Sequence, residues 1–350
     1  MKATSFNTGW TCRHLGSSAP GTPVTLPHDA MLAEERSQTS AGGTNTGWFA
    51  GYDYLYEKHF TPDAAQAAQC AVLEFEGVYH NAEVHLNGEK IASCPYGYSD
   101  FYADLTGKLL PGRDNVLEVI AHNADQPNSR WYSGAGIYRP VTLWTAPARH
   151  ILPDGVQVRT LSIDPAEVEV TVQTTASGAV AVAILDGEQT VATAQAESNG
   201  KAVLRVQIPN AKLWSPDSPA LYRCRAMFGD DCAETTFGVR TLSWGDDGFL
   251  LNGKRVILLG ACVHHDHGVL GACCYPEAEE RKVRLLQKVG YNAVRCAHNP
   301  CSKAFLDACD QLGMLVMDEY ADMWYIHKTQ YDYAGYLPDR WRQDLESLVR

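Results

Sequence analysis

Val256-Ile257-Leu258-Leu259-Gly260 leads into Cys262-Val263-His264-His265-Asp266-His267-Gly268. Ala293-Val294-Arg295-Cys296 leads into His298-Asn299-Pro300, and Met314-Leu315-Val316-Met317 into Asp318-Glu319-Tyr320. Each is a short apolar strand ending in a polar cluster, with helical patterns between them. Strand, polar loop and helix in repetition specify a parallel β/α barrel, whose chemistry sits at the carboxyl ends of its strands. The first helix is expected to open at Pro276, with Val283, Leu286 and Val289 on one face and Gly290 after its end. The second is expected to start at Asn299-Pro300, a capping residue followed by proline, with Phe305, Leu306, Cys309 and Leu312 buried and Gly313 closing it. A last helical pattern runs from Trp341 to Arg350. A closed barrel takes ~250 residues. The stretch after Trp244 is far shorter, so the expectation is three βα units of a TIM barrel without its closure.

Before Trp244 the period is two. Leu73-Glu74-Phe75-Glu76 alternates, and Glu83-Val84-His85-Leu86 runs into Asn87-Gly88, the strongest short hairpin signal. Asn115–Ile120 and Pro140–Trp144 continue the pattern, which suggests a jelly-roll sandwich over 1–147. A second β stretch over 148–242 contains Glu167–Val172, Val203–Ile208, Leu221–Ala226 and Thr236–Arg240. It reads as an immunoglobulin-like sandwich acting as a spacer. The fold class is therefore multidomain, mainly β and then α/β, with the barrel segment at 243–350.

The 350 residues carry a net charge of −12, and no basic tract offsets it. That argues against nucleic acid or an anionic membrane as a partner. No apolar run approaches the ~20 residues of a membrane span. Eleven cysteines without a CxxC spacing suit reduced thiols in a cytoplasm better than a disulfide framework.

Several stretches, in order, resemble glycoside hydrolase family 2, the group of β-galactosidases, β-glucuronidases and β-mannosidases. In the first segment they are Leu26-Pro27-His28-Asp29, Gly47-Trp48-Phe49, Phe75–Tyr79 with Asn87-Gly88, Tyr96-Gly97-Tyr98 and Ser129–Pro140. Leu213-Trp214-Ser215-Pro216 and Phe237–Arg240 follow, then Asn252-Gly253-Lys254, the His264 cluster, Val294–Pro300 and Met317-Asp318-Glu319. The resemblance implies a sugar-binding jelly roll, an immunoglobulin-like sandwich and a barrel. It also implies retaining hydrolysis of a terminal β-linked sugar by two glutamates. In the family the acid/base follows an asparagine on barrel strand four and the nucleophile lies on strand seven. This sequence has no Asn-Glu dipeptide, so no catalytic carboxylate is expected in it and the 350 residues alone are expected to be inactive. β-Galactosidase is preferred, from the Ser129–Arg139 and Asp318–Tyr333 stretches, and β-glucuronidase is the alternative. A non-catalytic carbohydrate-binding protein is the reading from another class. The resemblance implies a glycoside or oligosaccharide as partner and no cofactor, and it leaves room for a homo-oligomer.

The resemblance makes His264 and His298 sugar contacts, with Asn299 beside them, and a neutral imidazole can donate to one hydroxyl and accept from its neighbour. A surface-loop role and a metal site from His264, His265 and His267 are the other readings. Glu319 and Asp318 either tune the acid/base or hold Arg295 in an ion pair. Arg130 stands near where several relatives carry a sugar-binding aspartate. Trp131 either stacks on a sugar ring or fills a core. Asp322-Met323-Trp324-Tyr325 lacks the Glu and His, two apart, that hold magnesium in some relatives, so no metal is expected there. The Tyr325–Tyr336 stretch, with four tyrosines and Lys328, reads as a long strand-end loop of the kind that carries function.

Overall fold

The computed structural model describes residues 1–67 and 69–349. The first segment is an antiparallel sandwich. Its smaller sheet has the order Lys2–Ser5, Val141–Ala146, Cys70–Phe75, Phe101–Asp104; the larger runs Thr22–Val24, Trp10–His14, Asp53–Phe60, Asn115–His122, Ala82–Leu86, Glu89–Cys94. Along Asn115–His122 every second residue is buried, since strand period two puts Leu117, Val119 and Ala121 on one face. Asn87 and Gly88, both at positive φ (52° and 84°), make the expected hairpin turn. The second segment lines up Ile151–Ile163, Ala166–Asp186, Tyr222–Phe228 and Asp231–Phe237, and Gln189–Gln207 also pairs with Ala166–Asp186. Val168, Val170, Val172, Val182 and Ile184 form its core.

A small hairpin sheet, Leu242–Gly245, Gly248–Leu251 and Lys254–Arg255, then gives way to three parallel strands: Gly260–Val263, Ala293–Cys296 and Leu315–Met317. Helices Pro276–Lys288 and Lys303–Leu312 pack on one face of them through Val283, Val294, Cys296, Phe305, Ala308 and Cys309. The fold is therefore two β domains and the opening of a β/α barrel.

Local expectations needed correction. The apolar run Val256–Leu259 is not in the sheet; the first strand begins at Gly260, where pairing to Ala293 starts. The run meets the second strand at its end, where the Leu259 carbonyl accepts from Asn292 and Ala293 N–H, but it forms no ladder, and Ile257, Leu258 and Leu259 stand 67%, 44% and 55% exposed, so hydrophobicity without a paired strand did not make a strand. The second helix starts at Lys303, not at Asn299-Pro300. Ser302 is its cap, its hydroxyl accepting from Phe305 N–H at 3.2 Å, whereas the Asn299 amide donates to the Pro300 carbonyl. Val289 is an exposed C-cap and not part of the buried stripe, and Leu306 is also exposed. The last helix runs Leu337–Leu348, earlier than the Trp341 expected, with a proline in its first turn; Arg350 lies outside the described residues.

The first domain holds each of the three strand-end loops. Buried Asp29 accepts from Met31 N, Ala135 N, the Tyr132 hydroxyl and, across the interface, Ala272 N in the first loop. Gly134 makes that approach possible: at φ 71° a Cβ would come within 2.6 Å of the Ala272 Cβ and 2.7 Å of Asp29 Oδ2. Arg139, 3% exposed, donates to the carbonyls of Glu76, Tyr98 and, in the second loop, Pro300 at 2.7 Å. Tyr96 donates to the Tyr320 carbonyl in the third. Tyr79, Tyr96, Tyr98, Tyr138, Ala272, Met323, Tyr333 and Leu337 fill the apolar space between these anchors.

The second domain contributes Trp214. It is fully buried, donates from its indole to the Asp310 carbonyl at 2.8 Å, and packs with Leu251, Ala293 and Leu315. Lys303 ties all three segments: its ammonium bonds Glu74 and lies 3.3 Å from Asp100 and 3.4 Å from Asp154. Burial alone would lower its pKa, but Glu74, Asp154 and Asp100 push it up, so it stays charged.

Two outcomes follow. Arg139→Met should lower stability by ~2–4 kcal/mol in urea unfolding, because three charge-assisted bonds go and buried carbonyls lose their donor; an unchanged midpoint would refute the clamp. Limited proteolysis should cut first within 244–259, where Trp244 is 80% exposed and Ile257–Leu259 lack cover. A first cut in the loops held by Asp29 or Arg139 would contradict it.

Candidate functional site

The carboxyl ends of the parallel strands bring four polar side chains together. His264 follows the first strand, Arg295 lies in the second, His298 follows it, and Glu319 follows the third. Alternation explains the grouping. Val294, Cys296 and Val316 face the helices, so Arg295 and Met317, adjacent in register, face the other way, toward the barrel interior. Arg295 Nε lies 2.6 Å from Glu319 Oε1, and His298 Nδ1 lies 3.3 Å from Glu319 Oε2 and from Arg295 Nη2. Glu319 thus does pair with Arg295. The His264 and His298 rings are 5.7 Å apart, and burial, then the neighbouring His298, lowers the His264 pKa.

Trp131 comes over this group from the first domain. Its ring centroid is 5.2 Å from His298 and 6.1 Å from His264, and its indole N–H donates to the Tyr98 hydroxyl at 3.0 Å. It is half-buried. Arg130 is engaged elsewhere: it binds both oxygens of Asp322 at 2.8 and 2.6 Å, and Lys328 binds Asp322 Oδ1 at 2.7 Å. These two cations hold the Asp322 pKa down against its burial. Arg130 is therefore a brace for the third loop in this structure. Asp332 fixes the same loop by accepting from Lys328 N, Thr329 N and Ala334 N, and Tyr333 packs 4.1 Å from Tyr96.

Asn299 and Asp318 do not join the inward group. Asp318 Oδ1 accepts from Cys301 N and Glu319 N at 3.2 and 3.1 Å, and its side chain borders an open cleft between the domains. Asn299 is 3% exposed and lines a recess with His264, Glu279, Lys282 and Phe305. Successive residues at a strand end point to opposite sides, which separates Asp318 from Glu319.

The three clustered histidines diverge and form no metal site. His265 turns into the interface, edge-on to Tyr98 and Tyr138, with Nε2 3.3 Å from the Ser133 carbonyl. His267 pairs with Glu279 at 3.3 Å. Burial would raise the Glu279 pKa, but His267, Lys282 and the Ser302 hydroxyl bring it down to about 2. Sequence reasoning missed the roles of Arg139, Asp29 and Trp214. Their signal was present as polar or bulky residues inside quoted motifs, each with one partner that lies in the barrel segment.

The family models match in sequence along the chain. Residues 10–149 match the glycosyl hydrolase 2 galactose-binding domain-like model, 154–240 the glycosyl hydrolases family 2 model, and 243–332 the glycosyl hydrolases family 2 TIM barrel domain. The chain belongs to glycosyl hydrolase family 2. It is 37% identical over 98% of its length to β-galactosidase BoGH2A of Bacteroides ovatus, of which it spans 44%. A β-glucuronidase of Paenibacillus borealis is 25% identical over 82% of the chain, which spans 53% of that protein. A solved family 2 structure from Bacteroides cellulosilyticus superposes with a TM-score of 0.92 at 35% identity, covering all of this chain and 50% of that one. The chain thus spans about half the length of these family 2 relatives. No helix among the described residues is long and apolar enough to cross a membrane.

Burial also makes this region acid-sensitive. Desolvation, then Arg139, pushes the His265 pKa from 6.5 to about 3, and desolvation pushes His80 to about 4. Each imidazole is neutral when folded and protonates near its ordinary value when unfolded. The stability each contributes is full above pH 6.5 and is lost as pH falls toward those values. Glu76, raised by burial and Glu74 to about 7, acts with the opposite sign between 4.5 and 7. The clean readout is therefore a difference: between pH 6 and 5, stability should fall more steeply in the wild type than in His265→Gln by ~1.4 kcal/mol per pH unit. Parallel pH profiles would show that His265 is not held neutral.

Proposed function

We propose that this chain supplies the sugar-contacting surface of a retaining β-glycosidase, with a β-galactoside as the preferred substrate. The observation that carries the reading is the inward group of His264, Arg295, His298 and Glu319 under the half-buried ring of Trp131. Two imidazoles and an Arg–Glu pair offer donors and acceptors at ~3 Å spacings, as vicinal hydroxyls require. The indole face suits the C–H face of a pyranose. Glu319 is held between Arg295 and His298, and its role is to fix His298 Nδ1 so that Nε2 addresses the sugar. Asn299 and Asp318, assigned as sugar contacts from the sequence, act here through the second loop, which they shape from the other side.

The catalytic glutamates belong to sequence not present in these 350 residues. The chain alone is proposed to bind sugar without cleaving it, and the whole enzyme to hydrolyse with retention. The β-galactosidase name of the 37% identical relative is in keeping with that substrate. The division at 147/148 and 242/243 is part of the same proposal. So is a cytoplasmic location, which suits eleven unpaired thiols.

In the whole enzyme, His298→Ala should lower kcat/KM on nitrophenyl β-galactoside by roughly a hundredfold or more, if its hydroxyl contact tightens in the transition state. Near wild-type kinetics in a folded variant would remove His298 from the substrate site. Turnover by residues 1–350 alone, above buffer background, would overturn the placement of the chemistry elsewhere.

A further inference from the structure

The turn between the second barrel strand and its helix has a second side that the sugar reading does not use. Cys296 ends the strand, Cys301 follows five residues later, and Asp318 comes directly after the neighbouring strand. Arg295 and Met317 are register partners, so Cys296 and Asp318 come next on the same, helix-facing side. The two sulfurs and a carboxylate oxygen of Asp318 all lie within 4.8 Å of one another. From this geometry we infer a binding site for a thiophilic cation of the Zn²⁺ class, held by Cys296, Cys301 and Asp318; this inference is independent of the glycosidase reading.

Three features support it. With metal–sulfur and metal–oxygen bonds of ~2.3 and ~2.1 Å, a tetrahedral site needs donor separations of ~3.5–3.8 Å, so the thiols need only small side-chain rotations to close on an ion. The carboxylate is already oriented, since Asp318 Oδ1 accepts from Cys301 N and Glu319 N. An entry path exists: Cys301 and Asp318 border the open cleft, which Arg139 and Lys303 also line. Water from that cleft would fill the fourth position, and the two cations would balance the extra negative charge of two thiolates and a carboxylate around a dication. Paired sulfur donors select this class over Mg²⁺ or Ca²⁺. Binding forms two metal–sulfur bonds, breaks two S–H bonds and releases both protons to solvent. Since Ala297, His298, Asn299 and Pro300 lie between the two cysteines, an occupied site would fix the turn that carries His298.

The test is titration of the reduced, chelator-treated chain with Cd²⁺, reading the ultraviolet cadmium–thiolate charge-transfer band, with calorimetry in buffers of different ionisation enthalpy. One Cd²⁺ per chain with about two protons released is expected. Cys301→Ser, at a half-buried position, should weaken binding by more than ~10-fold, the least that losing even an outer-shell partner costs, and should diminish the band. Asp318→Asn should weaken binding while keeping the band. Cys262→Ser, at the exposed cysteine, should change neither. A wild-type chain without the band, or a band and affinity that survive both Cys301→Ser and Cys296→Ser, would overturn the site and leave the three groups as a hydrogen-bonded core cluster.

Discussion

A guanidinium buried among backbone carbonyls is the constraint on which the candidate site depends. Arg139 cannot lose its proton, and its desolvation is costly unless every donor direction finds oxygen. Glu76 and Tyr98 offer carbonyls from its own domain, and Pro300 offers one from the barrel. The Pro300 carbonyl is therefore held against the first domain, two residues from His298. The first loop is held in the complementary way, by a buried carboxylate: Asp29 gathers three backbone N–H groups and a hydroxyl, one of those amides being Ala272. One anion and one cation thus fix two loops from the same side, and tyrosines seal the space between them.

Why the first domain should hold the loops while the strands carry the side chains follows from the sheet. Strand pairing fixes Cys296 opposite the extension of Met317 but says nothing about the direction a loop takes after it leaves the ladder. Backbone carbonyls beyond the last pair need donors, and here the donors come from Arg139 and Tyr96 of another domain. The consequence is that Trp131 and His298, 167 positions apart in sequence numbering, come within 5.2 Å through two rigid attachments and not through a flexible lid.

Much of this was legible in the chain. Period-two alternation located the strands of both sandwiches, and Asn87-Gly88 located a hairpin. Pro276 and Gly290 bracketed the first barrel helix, and the strand-end histidines lay where the polar clusters indicated. The failures share one cause, which is that partners decide. Val256–Leu259 is more apolar than Gly260–Val263, yet only the latter has a paired strand beside it. Asn299-Pro300 carries a helix-start signal, but Arg139 takes the Pro300 carbonyl and the helix waits for Ser302. Arg130 looked available for a hydroxyl, and Asp322, 192 residues away, claims both arms of its fork. None of these competitors is local, so no window of sequence could weigh them.

The strand-end turn shows how far a single backbone direction partitions chemistry. Beyond Cys296 the backbone leaves the ladder and strict alternation ends, yet the side chains still divide between the barrel interior and the helix side. His298 falls with Arg295 and Glu319, and the two cysteines fall with Asp318. Charge keeps the two sides distinct: Glu319 is neutralised by Arg295 at 2.6 Å, whereas Asp318, its pKa raised by burial, has only amide donors, the Cys301 thiol and the more distant Arg139. A substitution on one side therefore reaches the other only through the backbone of Ala297–Pro300. That backbone is anchored at the Pro300 carbonyl by Arg139. Coupling between the cysteine side and His298 must pass through this anchored turn, so removing the Arg139 anchor should loosen both sides together and not one alone.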